Sequence, residues 1–253
     1  GTNILHLSNN DLRKLDIPFP PFEIQKKIVN EIEGYQKVID GARQVVENYK
    51  PIIHIDPDWP LVKLGDICDV KGGKRIPKGM SYSHQKTNHP YIRVSDIADY
   101  GIYQSQLKYI DDEVFKRISR YTITSNDVFI SIAGTIGLVG TIPSQLNGAN
   151  LTENASKLVI LNKSELNNLY LVFCLASEFV QQQIDKLTHA VGVPKLALYR
   201  IKSLVIPIAP LEQQEIIVDR IIKETQLISA NKTLSSLFEE KIAECIKRVW
   251  DQE

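Results

Sequence analysis

The chain has 253 residues, 43% of them hydrophobic, which is enough to bury a core as one globular domain with an appendage or as two small domains and excludes a disordered chain. Thirty Lys+Arg offset thirty Asp+Glu, for a formal net charge of +0, so a surface for a polyanion has to come from local asymmetry. Cys68, Cys174 and Cys245 are odd in number, far apart and without His partners at ligand spacing, and no long apolar run or basic-then-apolar leader is present, so the reading is a cytoplasmic protein with no disulfide framework, no metal or other cofactor, and no membrane span.

The first element is LRKLDIPFPPFEIQKKIVNEI at 12–32, and it recurs 189 residues later as IKSLVIPIAPLEQQEIIVDRI at 201–221. Leu15, Ile17, Pro18, Pro21, Glu23, Gln25, Ile28, Val29, Ile32 and Ile39 coincide with Leu204, Ile206, Pro207, Pro210, Glu212, Gln214, Ile217, Val218, Ile221 and Ile228. Such a match at a fixed offset is a duplication. Each copy is a short β-type run carrying prolines, which stop the strand, followed by a helix. In the first helix, expected over 22–50, Ile28, Ile32, Tyr35, Ile39, Ala42, Val46 and Tyr49 step by alternating four and three, the seam of a coiled coil. Gly34 and Gly41 weaken this helix without disturbing that spacing.

PIIHIDPDWP follows, with 51–58 a Pro/Asp-rich linker. From Trp59 to about 208 the texture changes to β-branched runs bounded by turn residues: PYIRVSDI (90–97), DVFISIAGTIGLVGTI (127–142), KLVIL (157–161) and a closing strand near 204–208. A helix is expected over 166–187. Residues 59–200 hold 16 Lys/Arg and 12 Asp/Glu, a net of +4, against −2 for each flank. Within it, 71–95 carries Lys71, Lys74, Arg75, Lys78, Lys86 and Arg93, with His84 and His89, and no carboxylate. A merely solvated loop needs acids as much as bases, so this stretch points to an anionic ligand. Gly72, Gly73 and Gly79 would let backbone approach that ligand, Tyr82 would stack, and Ser81, Gln85 and Asn88 would bond base edges. A mobile solubilising loop is the alternative. Gln145, Asn147, Asn150, Thr152 and Asn154 form a second polar cluster, equally readable as base readers or as an ordinary turn-rich connection.

The second helix, over 209–253, keeps the same phase through Ile217, Ile221, Ile228, Phe238, Ile242, Cys245 and Val249, with Glu224, Asn231 and Ser235 as polar seam positions. At about 1.5 Å per residue the helical stretches 22–50 and 211–250 span about 43 and 60 Å. They can pair antiparallel with each other or with helices of a second chain. The fold class is therefore α+β, a globular domain plus two long helices forming an antiparallel coiled coil.

No active site is legible. FPPF (19–22) is close to a methyltransferase motif whose first side chain must accept a hydrogen bond, which Phe19 cannot do. AGTIG (133–137) lacks phosphate-loop spacing and reads as a strand with a tight bend. Glu239, Glu240 and Lys241 sit in a rod rather than around a site, and His6, His54, His84, His89 and His189 have no nucleophile motif beside them.

The order of the proline-marked strand and helix, WPLVKLGDICDVKGGKRIPK, PYIRVSDI, AGTIG, GVPKLALYRIKSLVIPIAPLEQQEIIVDRI and a second helix resembles the specificity (S) subunit of Type I restriction-modification systems. The resemblance covers essentially the whole chain. It implies a target recognition domain at 59–208 reading one half of a bipartite double-stranded DNA, and helices that space two such domains and dock methyltransferase (modification) subunits, with the restriction subunit joining through the complex. It implies no catalysis by the chain itself. With one recognition domain, the chain resembles the C-terminal half of a full subunit, residues 1–21 corresponding to the end of a preceding recognition-domain-like segment, and a homodimer would restore the missing half. SNDVFI (125–130) departs from the family's usual Gly-Asp, with Asn126 expected to keep a left-handed turn. The resemblance places the KGGKRIPK loop and Thr135 of GTIG near DNA, and makes Lys195 and Tyr199 candidates for phosphate contact. The readings from other classes are a structural coiled-coil adapter and the DNA-binding fragment of a fused methyltransferase or nuclease.

Overall fold

In the computed structural model the described residues are 13, 17–98, 100–188 and 195–250; Leu15, His6 and His189 lie outside them. The helix α1 (Phe22–Asn48) leads through a linker to β1 (Leu61–Lys63), the one-turn α2 (Leu64–Ile67), β2 (Cys68–Gly72), β3 (Pro90–Ile92), β4 (Ile97–Ala98), β5 (Gly101–Ile102) and β6 (Lys108–Tyr109). Then come α3 (Asp112–Ile118), β7 (Thr122–Ile123), β8 (Val128–Ser131), β9 (Val139–Gly140), β10 (Ala149–Leu151) and β11 (Ala155–Ile160). The chain closes with α4 (Asn168–Ala176), α5 (Glu178–Thr188), α6 (Leu198–Lys202), β12 (Val205–Pro207) and α7 (Leu211–Trp250). It divides into two compact units, one of residues up to Tyr49 together with those from Glu224 onward, the other Lys50–Lys223.

The first unit is a helix pair. Along α1, Ile39 and Ala42 are buried and Ile28, Ile32, Tyr35 and Val46 half-buried, while most of the intervening positions are exposed. Gly34 and Gly41 are on the exposed side, where a Cβ at either would meet open space. On α7 the inward positions are Glu224, Ile228, Asn231, Ser235, Phe238, Ile242, Cys245 and Val249. The Tyr35 and Phe238 rings lie 5.3 Å apart. Arg43 pairs with Glu239 at 2.6 Å, Arg248 with Glu31 at 2.9 Å, and the Tyr49 hydroxyl donates to Glu224 at 3.0 Å. From Glu31–Arg248 through Arg43–Glu239 to Tyr49–Glu224 the number on α7 falls as its partner's rises, so the pair is antiparallel. The ion pairs are exposed and worth about 0–1 kcal/mol each; burial along the seam holds the helices together.

The second unit is α+β. One four-stranded antiparallel sheet has the order β2-β11-β8-β9; another, β6-β3-β10-β7, contains one parallel pair, β3 with β10. β1 pairs antiparallel with β12, and β4 with β5. The main core gathers β2, β8 and β11 against α4 and α5, and includes Val218 and Ile221 of α7, with Ile217 packed at its edge. The seam expected through Ile217 and Ile221 therefore starts later on α7, because the first turns of that helix give their apolar residues to the globular core. The helix expected over 166–187 is two helices. Ser177 breaks it: its hydroxyl donates to the Cys174 carbonyl at 2.6 Å, and its own carbonyl accepts from Val180 and Gln181 to start α5. Asn126 does not hold a left-handed turn either, since Tyr100 is the single non-glycine with positive φ among the described residues. Asp127 makes that turn instead, accepting the Thr124 amide at 2.9 Å and hydroxyl at 3.0 Å.

The duplication is visible in hydrogen bonds. The Gln25 side chain donates to the Pro20 carbonyl at 2.7 Å, and Gln214, its counterpart, donates to the Ala209 carbonyl at 2.8 Å. Gln214 is fully buried and does more, donating to Glu165 and accepting from the Asn167 amide. Replacing Ile39 by Ala is expected to cost about 2–5 kcal/mol, and replacing the exposed helical Gly34 by Ala to stabilise by about 0.5–1 kcal/mol; urea unfolding of the two variants measures both.

Candidate nucleic-acid interface

β2 carries the chain to the basic stretch. Cys68 and Val70 point into the core, where burial pushes the Cys68 thiol up to about 12, and Asp69 and Lys71 point outward, paired at 3.0 Å. At Gly73 the backbone crosses the β10–β11 connection. Its amide donates to the Ala155 carbonyl and that of Lys74 to the Leu151 carbonyl, and a Cβ at Gly73 would collide with the carbonyl oxygens of Leu151 and Thr152. The close approach expected of Gly73 is therefore to the protein's own backbone, not to a ligand. Gly72 makes ordinary contact with Leu198 of α6. Gly79 does hold a left-handed conformation, φ 85°, in open space.

The segment from Lys74 to His89 is pinned along its length rather than loose. The Lys74 ammonium lies 5.7 Å from the Tyr121 ring centre and its carbonyl accepts from the Tyr91 hydroxyl at 2.8 Å. Ile76 and Met80 pack on the cluster of Tyr91, Ile110, Val114 and Ile118. Tyr82 meets Tyr91 edge-on at 5.6 Å, Thr87 donates to the Ile110 carbonyl, and the His89 ring stacks on Phe115 at 3.9 Å with Nε2 2.8 Å from Asp112. The side chains that remain exposed are Lys71, Lys74, Arg75, Lys78, Ser81, Tyr82, His84, Gln85, Lys86 and Asn88. Lys78 and Lys86 have no ion-pair partner among the described residues.

A cavity of about 620 Å³ opens beside this segment, bringing Arg75, Ser81, Tyr82 and Arg93 together with Ser95, Glu153 and Asn154. Glu153 enters from the β10–β11 connection, its Oε1 2.5 Å from Arg75 Nε and its Oε2 accepting from the Thr152 hydroxyl at 2.9 Å. Burial alone would raise its carboxyl; the Arg75 guanidinium, backbone and Thr152 bonds outweigh it and hold the group below the usual carboxylate range. Arg93 is committed inward: Nη2 and Nε donate to Asp96 at 2.5 and 3.1 Å, and Nη2 to the Gln106 carbonyl at 3.0 Å.

The second polar cluster divides. Asn150 is buried, with Nδ2 donating to the Ile118 carbonyl at 2.8 Å at the end of α3, and Thr152 is buried against Glu153, so both serve the fold and not base readout. Asn147 is exposed and accepts the Ser125 amide at 2.6 Å. Thr135 is exposed in the β8–β9 loop, whose bends are Gly134 and Gly137 at φ 75° and 87°. Thr135, Asn147, Lys195 and Tyr199 all lie outside the cavity; Lys195 is exposed, and Tyr199, 68% exposed, has the Arg200 guanidinium 5.7 Å from its ring centre. Sequence reasoning missed Glu153 and a second hollow of about 310 Å³ that places Arg120 and Lys157 near Lys71. A count of charges by segment cannot pair groups so far apart in the chain.

Among the described residues no cluster of His, Cys, Asp and Glu could hold a metal ion, and no helix is long and apolar enough to cross a membrane. Replacing Gly73 by Ala is expected to lower stability by about 1–3 kcal/mol, the cost of overpacking against rigid backbone, read as a fall in the urea midpoint.

A family model described as Type I restriction modification DNA specificity domain matches residues 57–237. The MjaVIII specificity subunit of a Type I restriction enzyme from Methanocaldococcus jannaschii is 21% identical over 262 residues, covering 92% of this chain and 60% of that protein. The Escherichia coli EcoBI specificity subunit is 23% identical, covering 87% of this chain and 54% of that protein. The solved HsdS subunit from Thermoanaerobacter tengcongensis superposes with a TM-score of 0.51 at 19% identity, covering 100% of this chain and 64% of that one. The chain thus spans about six tenths of the length of the proteins it matches.

Proposed function

The chain belongs to the Type I restriction modification DNA specificity domain family, and from that premise we propose that it is a sequence-specific DNA-recognition subunit of a Type I restriction-modification complex. The globular part, 59–208, reads one half of a bipartite double-stranded target. The observation that carries the reading is the pinned segment after β2, which presents Lys78 and Lys86 without carboxylate partners among the described residues, beside a cavity lined by hydrogen-bonding groups. Methylation and cleavage belong to the partner subunits, and the chain itself is non-catalytic and cytoplasmic. The two helices, over 22–50 and 209–253, space the recognition units and dock a methyltransferase (modification) subunit on faces outside the seam, where Leu227, Leu234 and Leu237 are exposed.

A homodimer is the form in which this chain would read a whole target. In the first copy of the repeat Ile17, Phe19 and Phe22 are 73%, 89% and 73% exposed, whereas Ile206, the counterpart of Ile17, is fully buried in the globular unit. A second copy would cover these residues and would make the target two inverted identical half-sites.

Counterion displacement sets the test. Each of Lys78→Ala and Lys86→Ala is expected to lower the slope of log affinity against log salt by about 0.9 with no change in base preference. A double variant with unchanged affinity and slope removes this segment from the DNA. Supplying methyl donor and DNA to the chain alone is expected to give no methylation, and adding the modification subunit to confer it. Light scattering across a concentration series is expected to show a dimer; a strict monomer at high concentration rejects the self-paired form.

A further inference from the structure

Two arginine–carboxylate pairs border the same cavity and differ in what they leave free. Arg93 and Asp96 form a closed pair: Asp96 is 2% exposed, and Nη2 of Arg93 is bonded to both Asp96 and the Gln106 carbonyl. Arg75 and Glu153 form an open one. Arg75 donates through Nε to Glu153, its side chain is 76% exposed, and its terminal nitrogens have no partner among the described residues. Glu153 is 25% exposed and held from both sides, by Arg75 at Oε1 and by the Thr152 hydroxyl at Oε2. The connection that carries it is fixed by the Thr152 amide on the Ile92 carbonyl, the Ala155 amide on the Thr152 carbonyl, and the Asn154 carbonyl accepting from Ile132.

From this geometry we infer that Arg75, buttressed at Nε by Glu153, reads a guanine in the major groove through its two terminal nitrogens, with Glu153 as its positioning residue. The inference rests on the DNA-recognition reading above. Guanine shows two adjacent acceptors in the major groove, O6 and N7, and the two forward N–H groups of a guanidinium match them. A free arginine has to be ordered on binding, whereas one tied at Nε by a rigid carboxylate is ordered beforehand. The carboxylate also decides against the competing use of Arg75. A phosphate brought to Arg75 would meet the ionised Glu153, and the pair as a whole carries no net charge to displace counterions, so its contribution is base preference and not salt-dependent affinity. Lys78 and Lys86 have the opposite character.

The experiment enriches randomised double-stranded DNA on the full chain assembled with its modification subunit, then repeats the selection and a salt titration with Arg75→Ala, Arg75→Lys, Glu153→Gln, Glu153→Ala and the double variant Arg75→Ala/Glu153→Ala, each checked by its unfolding midpoint. The wild-type motif is expected to contain an invariant guanine. Each Arg75 variant loses that preference by about 5- to 150-fold at that single position, and in Arg75→Lys and the charge-neutral double variant Arg75→Ala/Glu153→Ala the rest of the motif and the salt slope are unchanged. Glu153→Ala weakens the same position, and Glu153→Gln, which keeps an acceptor for Nε, weakens it less. Uniform loss of affinity with a lower slope in Arg75→Ala/Glu153→Ala makes Arg75 a phosphate contact and overturns the inference, as does an unchanged motif. A Glu153→Ala motif identical to wild type removes the positioning role. A wild-type assembly that enriches no sequence instead overturns the DNA-recognition reading itself.

Discussion

The globular unit depends on one short antiparallel contact between its two ends. Leu61, Val62 and Lys63 face Pro207, Ile206 and Val205, and the ladder is extended by the Leu64 amide on the Leu204 carbonyl and the Ile208 amide on the Pro60 carbonyl. The strands it joins lie at opposite ends of the unit's sequence, so closing that loop carries a conformational entropy cost that local bonds alone would not offset. Burial does the rest. Leu64, Leu204 and Ile206 are fully buried, and the Tyr170 hydroxyl of α4 donates to the Pro207 carbonyl at 2.9 Å, inside the same core. Just beyond β12, Gln214 ties the start of α7 to the Glu165–Asn167 segment ahead of α4. Strand ends, core helix and the first turns of α7 are thereby set by a single knot of contacts.

The same sequence element has two fates in one molecule. Around Gln214 it is a buried junction with four hydrogen-bond partners counting the backbone amide on Pro210; around Gln25, among the described residues, only the bonds internal to the element appear, to Pro20 and Pro21. The proline-marked turn and the glutamine bond back to the carbonyl five residues earlier recur in both copies, as a device internal to the element. The apolar residues around it are the part whose environment differs, Ile206 being fully buried and Ile17 exposed.

Legibility follows the range of the interaction. The coiled coil is readable because a heptad is a local property, and even the polar positions Glu224, Asn231 and Ser235 keep its phase. The break at Ser177 is not, because Tyr170 through Leu175 are buried all round, and a segment apolar on every side carries no periodicity to interrupt. The basic character of 71–95 is visible in composition, but the fate of each cation is not. Arg93 is tied to an acid three residues away, Arg75 to one 78 residues away, and Lys71 to Asp69 just ahead of the acid-free stretch. The amides of 145–154 show the same limit, since whether Asn150 faces solvent or the end of α3 is decided by strand register.

The anchoring of the segment after β2 bears on how such a protein changes over generations. At one end Gly73 is locked against the β10–β11 backbone, at the other Pro90 enters β3, and between them Ile76, Met80 and Thr87 are the internal footholds. Lys78, Ser81, His84, Gln85, Lys86 and Asn88 project outward from that frame and support nothing beneath them. Mutations at these outward positions therefore meet no stability threshold, and the surface they present can change while the scaffold beneath stays folded. Selection for novelty and selection for integrity act on separate residues of the same short span.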